Sequence, residues 1–232
     1  MGGSTSSEAA RGQGSIGGRM IKALSRTVPV GQIDLGLIVA LGLGGVLRLT
    51  RLGDFANDYY TATVASMLQS VHNFVFGSFD PAGMVMVDKP PASFWLQAVP
   101  ASIFGVTAWS VTLPQVIMGI AAIAILYLLI RPVYGRAAAV GGALVLGVLP
   151  ASVVIDSRNE PDALVSFALL IAAFSITRAV RTGRYRWYLL FGALVGLAFN
   201  AKMFVAFVPL PAFLLYSVIA ANRPTRETVL RT

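Results

Sequence analysis

Apolar runs about the length of a bilayer crossing alternate with short polar connectors along most of this chain. A spanning helix needs about 20 apolar residues. Runs of that kind fall at roughly 32–50, 111–130, 137–155, 162–180, 186–200 and 203–221, the fifth being short. A further apolar stretch, 93–105 (SFWLQAVPASIFG), carries Pro100 in its middle. It predicts an interfacial or re-entrant helix, with a full crossing as the alternative. The expected fold is all-α: a polytopic transmembrane helical bundle of about six spans, with interfacial helices in the first long connector.

Composition agrees. Of 232 residues, 56% are apolar and 12% charged, against about 25% charged in soluble domains. Mean hydropathy is +0.74. There is no cysteine, which excludes disulfides and thiolate metal sites. The net charge of +8 does not indicate nucleic acid, because the basic residues lie between apolar spans and not on one soluble face. Residues 1–30, rich in Gly and Ser, read as a disordered cytoplasmic tail. Residues 31–222 form the transmembrane domain and 223–232 a cytoplasmic stub.

The positions of Lys and Arg orient the bundle. With a cytoplasmic N-terminus and six alternating spans, thirteen of the 18 basic residues fall inside, as the positive-inside rule requires. Arg48, Arg51, Lys89, Arg158 and Lys202 fall outside. A seventh crossing at 93–105 would put Arg131, Arg136 and the RAVRTGRYR run outside, and so is disfavoured. The expected location is the plasma membrane. Seven of the 10 acids then share the outer face: Asp54, Asp58, Asp80, Asp88, Asp156, Glu160 and Asp162. Two connectors supply them, 51–92 and 156–161. Ionisable groups at a membrane boundary are costly to desolvate and mark functional sites, so the two connectors are expected to meet around one outer site.

Within the first connector, Asn57-Asp58-Tyr59-Tyr60 opens an amphipathic pattern. Tyr60, Val64, Met67, Leu68 and Val71 recur at helical spacing, which predicts one helix face lying on the membrane. Asp54 or Asn57 caps it. Asp58 in the first turn is either a helix-dipole partner or a working carboxylate. Val87-Asp88-Lys89-Pro90-Pro91 places an extended lysine before Phe94-Trp95. That suits a lipid phosphate; a snorkelling lysine beside a belt tryptophan is the alternative. In the second connector, Arg158 is a candidate phosphate cation, and Asp162 or Glu160 a candidate substrate ligand. The alternative there is an ordinary polar loop. Lys202, in FNAKM, either snorkels or lines the cavity. His72, the only histidine, is expected to hydrogen-bond substrate or backbone. The acids are compatible with Mg²⁺ or Mn²⁺, but no spacing compels a metal site, and no cofactor is called for.

Together, Asn57–Tyr60, His72–Phe74, Phe79-Asp80-Pro81-Ala82-Gly83, Val87–Pro91 and Phe94-Trp95 resemble the ordered motifs of the membrane-embedded GT-C glycosyltransferases of family 39. That group includes protein O-mannosyltransferases, aminoarabinose transferase-like enzymes and bacterial mannosyltransferase-like proteins. The resemblance runs from about Arg48 to Phe213. It implies a sugar (mannose or a related hexose or pentose) on a polyprenyl phosphate as donor, and a protein, lipid or glycan hydroxyl as acceptor. It also implies an outer-loop acid as general base with inversion at the sugar carbon. The family's Asp-Glu pair falls on Asn57-Asp58, so the first acid is an amide here. Asp58 becomes the leading base, with Asp54 or Asp88 as alternatives. Lys89 would stabilise the departing phosphate, helped by Arg158 or Lys202, and Asp162 matches the acid that opens the helix after the second connector. Family members continue into further spans, so this chain is expected to be the N-terminal part of such an enzyme. The competing readings are a transporter or flippase, which would place ionisable groups mid-span, and a non-catalytic membrane subunit.

Overall fold

The computed structural model describes residues 34–221. The expected tail, 1–30, and stub, 223–232, lie outside the described residues. The chain folds into α-helices: α1 Leu35–Leu49, α2 Asp58–Met67, α3 Val71–Phe76, α4 Ala92–Phe104, α5 Ala108–Val148, α6 Pro150–Asp156, α7 Asp162–Thr182, α8 Tyr185–Lys202 and α9 Leu210–Ala221. A 3₁₀ turn, Met203–Phe207, precedes α9. Among the described residues the extended structure is one isolated bridge, between Ser78 and Met86. Three helices among the described residues are long and apolar enough to cross a membrane, with α1, α4 and α9 shorter and apolar. This is an all-α membrane protein.

The 41-residue α5 is two arms. Gly135 has φ 83° and ψ 180°, a conformation open to glycine and not to L-residues with a Cβ. The chain reverses there. A Cβ on Gly142 would come within 2.6 Å of the Ile130 side chain, while Ile123 and Gly147 both meet Gly44. Pairs 130/142 and 123/147 are centred on the same hinge, so the arms run antiparallel. The expected spans 111–130 and 137–155 are these two arms, the second extended through α6 after a break at Leu149-Pro150. The expected sixth span, 203–221, is not one helix: it divides into the 3₁₀ turn and α9.

Helix α1 lies against both arms, burying Ala40, Gly44 and Gly45 beside Ile123, Tyr127, Ala139 and Ala143. At its start, Asp34 caps the helix by accepting from Gly36 N at 2.9 Å. The same carboxylate accepts from Arg136 Nε and Tyr127 Oη, each at 2.7 Å. At the other end of α1, Arg48 is fully buried. Its donors reach Asp156 Oδ2 (2.9 Å), Gly44 O (3.1 Å), Gly147 O (2.8 Å), Leu146 O (3.2 Å) and Ser152 Oγ (2.8 Å). All five guanidinium N–H groups are thereby satisfied. Sequence reading had Arg48 and Asp156 on the outer surface; both are interior and bonded to each other. Gly119 makes room for them: a Cβ there would collide with the Asp156 carboxylate and approach Arg48 Nε to 2.8 Å.

Helix α4 has 13 residues, about 20 Å at 1.5 Å per residue, too short to span. It packs between α2 and α5, with Phe94, Ala98 and Ala101 against Tyr60, Val64, Met67 and Val111. This corrects the expectation for α2. Tyr60, Val64 and Met67 face protein, not lipid. The helix ends at Met67, so Leu68 and Val71 do not continue its face.

Removing one partner of a buried ion pair costs about 3–5 kcal/mol. Arg48→Met should destabilise the detergent-solubilised protein by that order, and Arg48→Lys should fail to recover it, having three donors in place of five. Thermal unfolding read by circular dichroism checks both; a wild-type transition for Arg48→Lys would show that the five-donor geometry is dispensable.

Candidate functional site

The two connectors meet at the Arg48 end of the bundle. Asn57 caps α2, its Oδ1 accepting from Tyr59 N at 3.0 Å. That leaves Asp58 as first-turn acid, exposed. Asn57 N donates to Asn159 Oδ1 at 2.6 Å, and Asn159 Nδ2 donates to Asn57 O at 3.3 Å and Thr61 Oγ1 at 3.1 Å. The carbonyl of Asn159 accepts from Gln97 Nε2 at 2.8 Å. One side chain thus ties the second connector to α2, and its backbone ties it to α4. Sequence reading missed Asn159, since a lone amide in a polar loop carries no periodic or spacing signal.

The candidate cations all carry carboxylate partners. Lys89 pairs with its neighbour Asp88. Arg158 pairs with Glu160 at 2.6 Å, and Lys202 with Asp162 at 2.5 and 2.7 Å. The last pair joins the start of α7 to the end of α8, where Met203 takes φ 50°. Asp88 N donates to Tyr59 Oη at 3.3 Å, which brings the Asp88-Lys89 turn to α2. Tyr60 is buried on the Phe94 ring. Its phenol is pushed up to about 12, first by burial and then by the negative charges of Asp88 and Glu160. Those charges come from both connectors. Asp54 is apart from this cluster in its bonding, its exposed carboxylate being 4.0 Å from Arg51. Of the first connector's acids, Asp58 alone has no hydrogen-bond or ion-pair partner among the described residues.

Other motif positions of the first connector hold the loop. Asp80 accepts from Met84 N (3.2 Å) and Val85 N (2.5 Å), bonds that lower its pKa, the Val85 contact most. Asn73 Nδ2 donates to Ser66 O and Pro81 O. Trp95 Nε1 donates to Phe74 O at 2.7 Å, so this indole braces α3. His72 is exposed, lies with its ring tilted against Phe76 and abuts Gly83; no contact with Asp58 or Lys89 is seen. Below the polar cluster, α4, α5, α7 and α8 enclose an apolar groove of ≈ 480 Å³. Leu164, two residues from Asp162, and Leu197, five residues before Lys202, line it.

Residues 88–231, more than half of the chain, match the dolichyl-phosphate-mannose-protein mannosyltransferase family. The chain belongs to that family. Two Bacillus subtilis (strain 168) proteins are similar to it over most of its length. The one described as "Putative mannosyltransferase YkcB" is 40% identical over 201 residues, covering 86% of this chain and 28% of the relative. "Putative mannosyltransferase YycA" is 43% identical over 200 residues, covering 85% and 29%. The chain therefore spans under a third of the length of these curated relatives. No solved structure matches it.

Because two carboxylates raise the Tyr60 pKa, neutralising them should lower it. Asp88→Asn and Glu160→Gln should each bring it part of the way from about 12 towards the ordinary 10.0. The proton is bound more tightly in the folded state, so stability is full below about pH 10 and falls as pH rises towards about 12. Tyrosinate absorbance in a pH titration, differenced against Tyr60→Phe, measures the shift; identical curves in both variants would remove the charges as a cause.

Proposed function

We propose that this chain is the donor-binding and base-bearing part of an integral-membrane glycosyltransferase. It transfers mannose or a related sugar from a polyprenyl phosphate to a hydroxyl of a protein, lipid or glycan acceptor at the outer face of the plasma membrane. The family membership supports a sugar transferase. The observation that carries the finer reading is the meeting of two distant connectors, which sets Asp58, the Asp88–Lys89 pair and the Asp162–Lys202 pair at one end of the bundle above an apolar groove.

In this reading the prenyl chain lies in the groove and its phosphate reaches the lysines. The acceptor oxygen attacks the anomeric carbon from the face opposite the phosphate. The bond from that carbon to the phosphate oxygen breaks with inversion, polyprenyl phosphate leaves, and the acceptor proton passes to Asp58. Asp58 is preferred to Asp54 and Asp88 because those two already hold a cation. Asn57 is not available for acid–base work, being spent on capping α2 and binding Asn159. Charge grows on the leaving phosphate, so fixed cations lower the barrier. Lys89 and Lys202 supply them by exchanging a carboxylate for the phosphate, with Arg158 as a further cation. Tyr60, protonated at neutral pH, is a donor for the sugar or phosphate. Among the described residues no three His, Asp or Glu groups converge as metal ligands. A divalent cation, Mg²⁺ or Mn²⁺, would therefore be held by one carboxylate together with the donor phosphate.

Asp58→Asn should lower kcat about 10²–10⁴-fold, the usual contribution of a general base. Lys89→Ala should lower it about 10²–10³-fold through lost leaving-group stabilisation. Both are read as consumption of polyprenyl-phosphate mannose by membranes carrying the protein. Wild-type turnover in both variants would end the assignments.

A further inference from the structure

The most constrained polar residue at the site is one that touches neither the proposed base nor any cation. Asn159 is fully buried. A buried amide is costly unless bonded, and this one is bonded on both sides: Oδ1 accepts from Asn57 N at 2.6 Å, and Nδ2 donates to Asn57 O at 3.3 Å and Thr61 Oγ1 at 3.1 Å. The side chain mimics a strand neighbour, gripping both backbone groups of Asn57. Asp58 is the next residue. Thr61 Oγ1 also donates to Asn57 O at 2.9 Å, so the first turn of α2 and the loop share one hydrogen-bonded knot. Gln97 Nε2 holds the Asn159 carbonyl from α4, at 2.8 Å. Flanking Asn159 are Arg158–Glu160 on one chain and, three residues on, Asp162 with Lys202.

We propose that Asn159 is the positioning residue that sets the register between the base-bearing helix α2 and the loop carrying the phosphate-facing charges. It acts through Asn57 on Asp58 and takes no part in bond making. The proposal rests on the functional reading above. Its physical logic is that general-base catalysis needs a near-attack geometry, where a displacement of about 1 Å costs on the order of 10²-fold in rate. Asp58 has no partner of its own to fix it among the described residues. Its position is inherited from Asn57.

The test uses the whole protein in membranes with polyprenyl-phosphate mannose as probe, and hydrogen exchange over residues 54–62 as a readout independent of turnover. Asn159→Ala removes the knot; Thr61→Val removes one arm of it with little change of volume and guards against a variant that fails to fold. The expected result is a kcat lowered about 10–100-fold in Asn159→Ala and less in Thr61→Val, with donor KM within about threefold of wild type. Exchange should quicken in 54–62 and not across the bundle. Asn159→Asp keeps the acceptor for Asn57 N and loses the donor, and should fall between wild type and Ala. An unchanged kcat, a change confined to KM, or unaltered exchange in both Asn159→Ala and Thr61→Val would overturn the proposal. If wild-type membranes leave the probe intact, the sugar-transfer reading fails. Exchange then decides the knot alone: quickening confined to 54–62 upholds Asn159 as the register pin, and its absence removes it.

Discussion

A guanidinium sealed inside an apolar bundle constrains everything around it. Arg48 can be buried only because each of its N–H groups meets a carbonyl, hydroxyl or carboxylate oxygen. Those partners come from α1 itself, from the end of the second arm of α5, and from α6. Satisfying them requires the backbones of Gly44 and Gly147 to approach closely, and it requires Gly119 to leave space for the Asp156 carboxylate. The ion pair therefore determines where α6 ends, and so where the second connector begins. From there the connector is held in succession: Asp156 to α1, Asn159 to α2 and α4, and Asp162 to α8. A segment of seven residues, 156–162, bonded to four helices is a rigid base for a site.

The ion pairs divide into two physical kinds. Arg48–Asp156 has side-chain exposures of 0% and 10%, and breaking it strands a charge in the interior. Lys89–Asp88 and Lys202–Asp162 are a quarter to a half exposed. Pairs of that type are worth about 0.2–1 kcal/mol, so exchanging one carboxylate for a doubly charged phosphate is cheap. The first kind suits a frame and the second suits a site that must bind and release an anion. This also weakens the transporter reading: the deeply buried charge is saturated by fixed partners, and the exchangeable ones sit at helix ends.

Much of the fold was legible because bilayer length and apolar runs are coupled. The two arms of α5 were separable at Gly135-Arg136, and the proline-bearing stretch 93–105 forms the short helix α4. The error over α2 has a clear cause. A helix face of Tyr60, Val64 and Met67 reads the same whether it meets lipid or Phe94 and Ala98, and periodicity reports only that the face is apolar. The boundary near Lys202 was legible, but the division of 203–221 into a 3₁₀ turn and α9 was not, because MFVAF is as apolar as the helices beside it. At the site, the convergence of two connectors followed from charge sorting along the chain, but the pairing of each cation with a carboxylate did not, since partners such as Lys202 and Asp162 lie 40 residues apart. Arg48 was misread for the same reason: an arginine at a span end looks interfacial until its five acceptors are known.

The end of α8 shows how the frame and the site connect. Helix geometry fails at Lys202, with φ −147° and ψ 37°, and Met203 follows at φ 50° and ψ −130°, a region that costs a residue with a Cβ on the order of 1–3 kcal/mol. Among the described residues it is the one non-glycine with positive φ. The distortion falls immediately after the lysine that clasps Asp162. A straight α8 would carry residues 203–207 onward along the helix axis, whereas the observed turn ends α8 at the height of the first residue of α7. The strain is tolerated where Lys202 must stay level with the loop that Asn159 and Arg48 have already fixed. A cation kept at that height by backbone geometry, and tethered to its carboxylate only by a partly exposed pair, would remain in place if the proposed donor phosphate displaced Asp162.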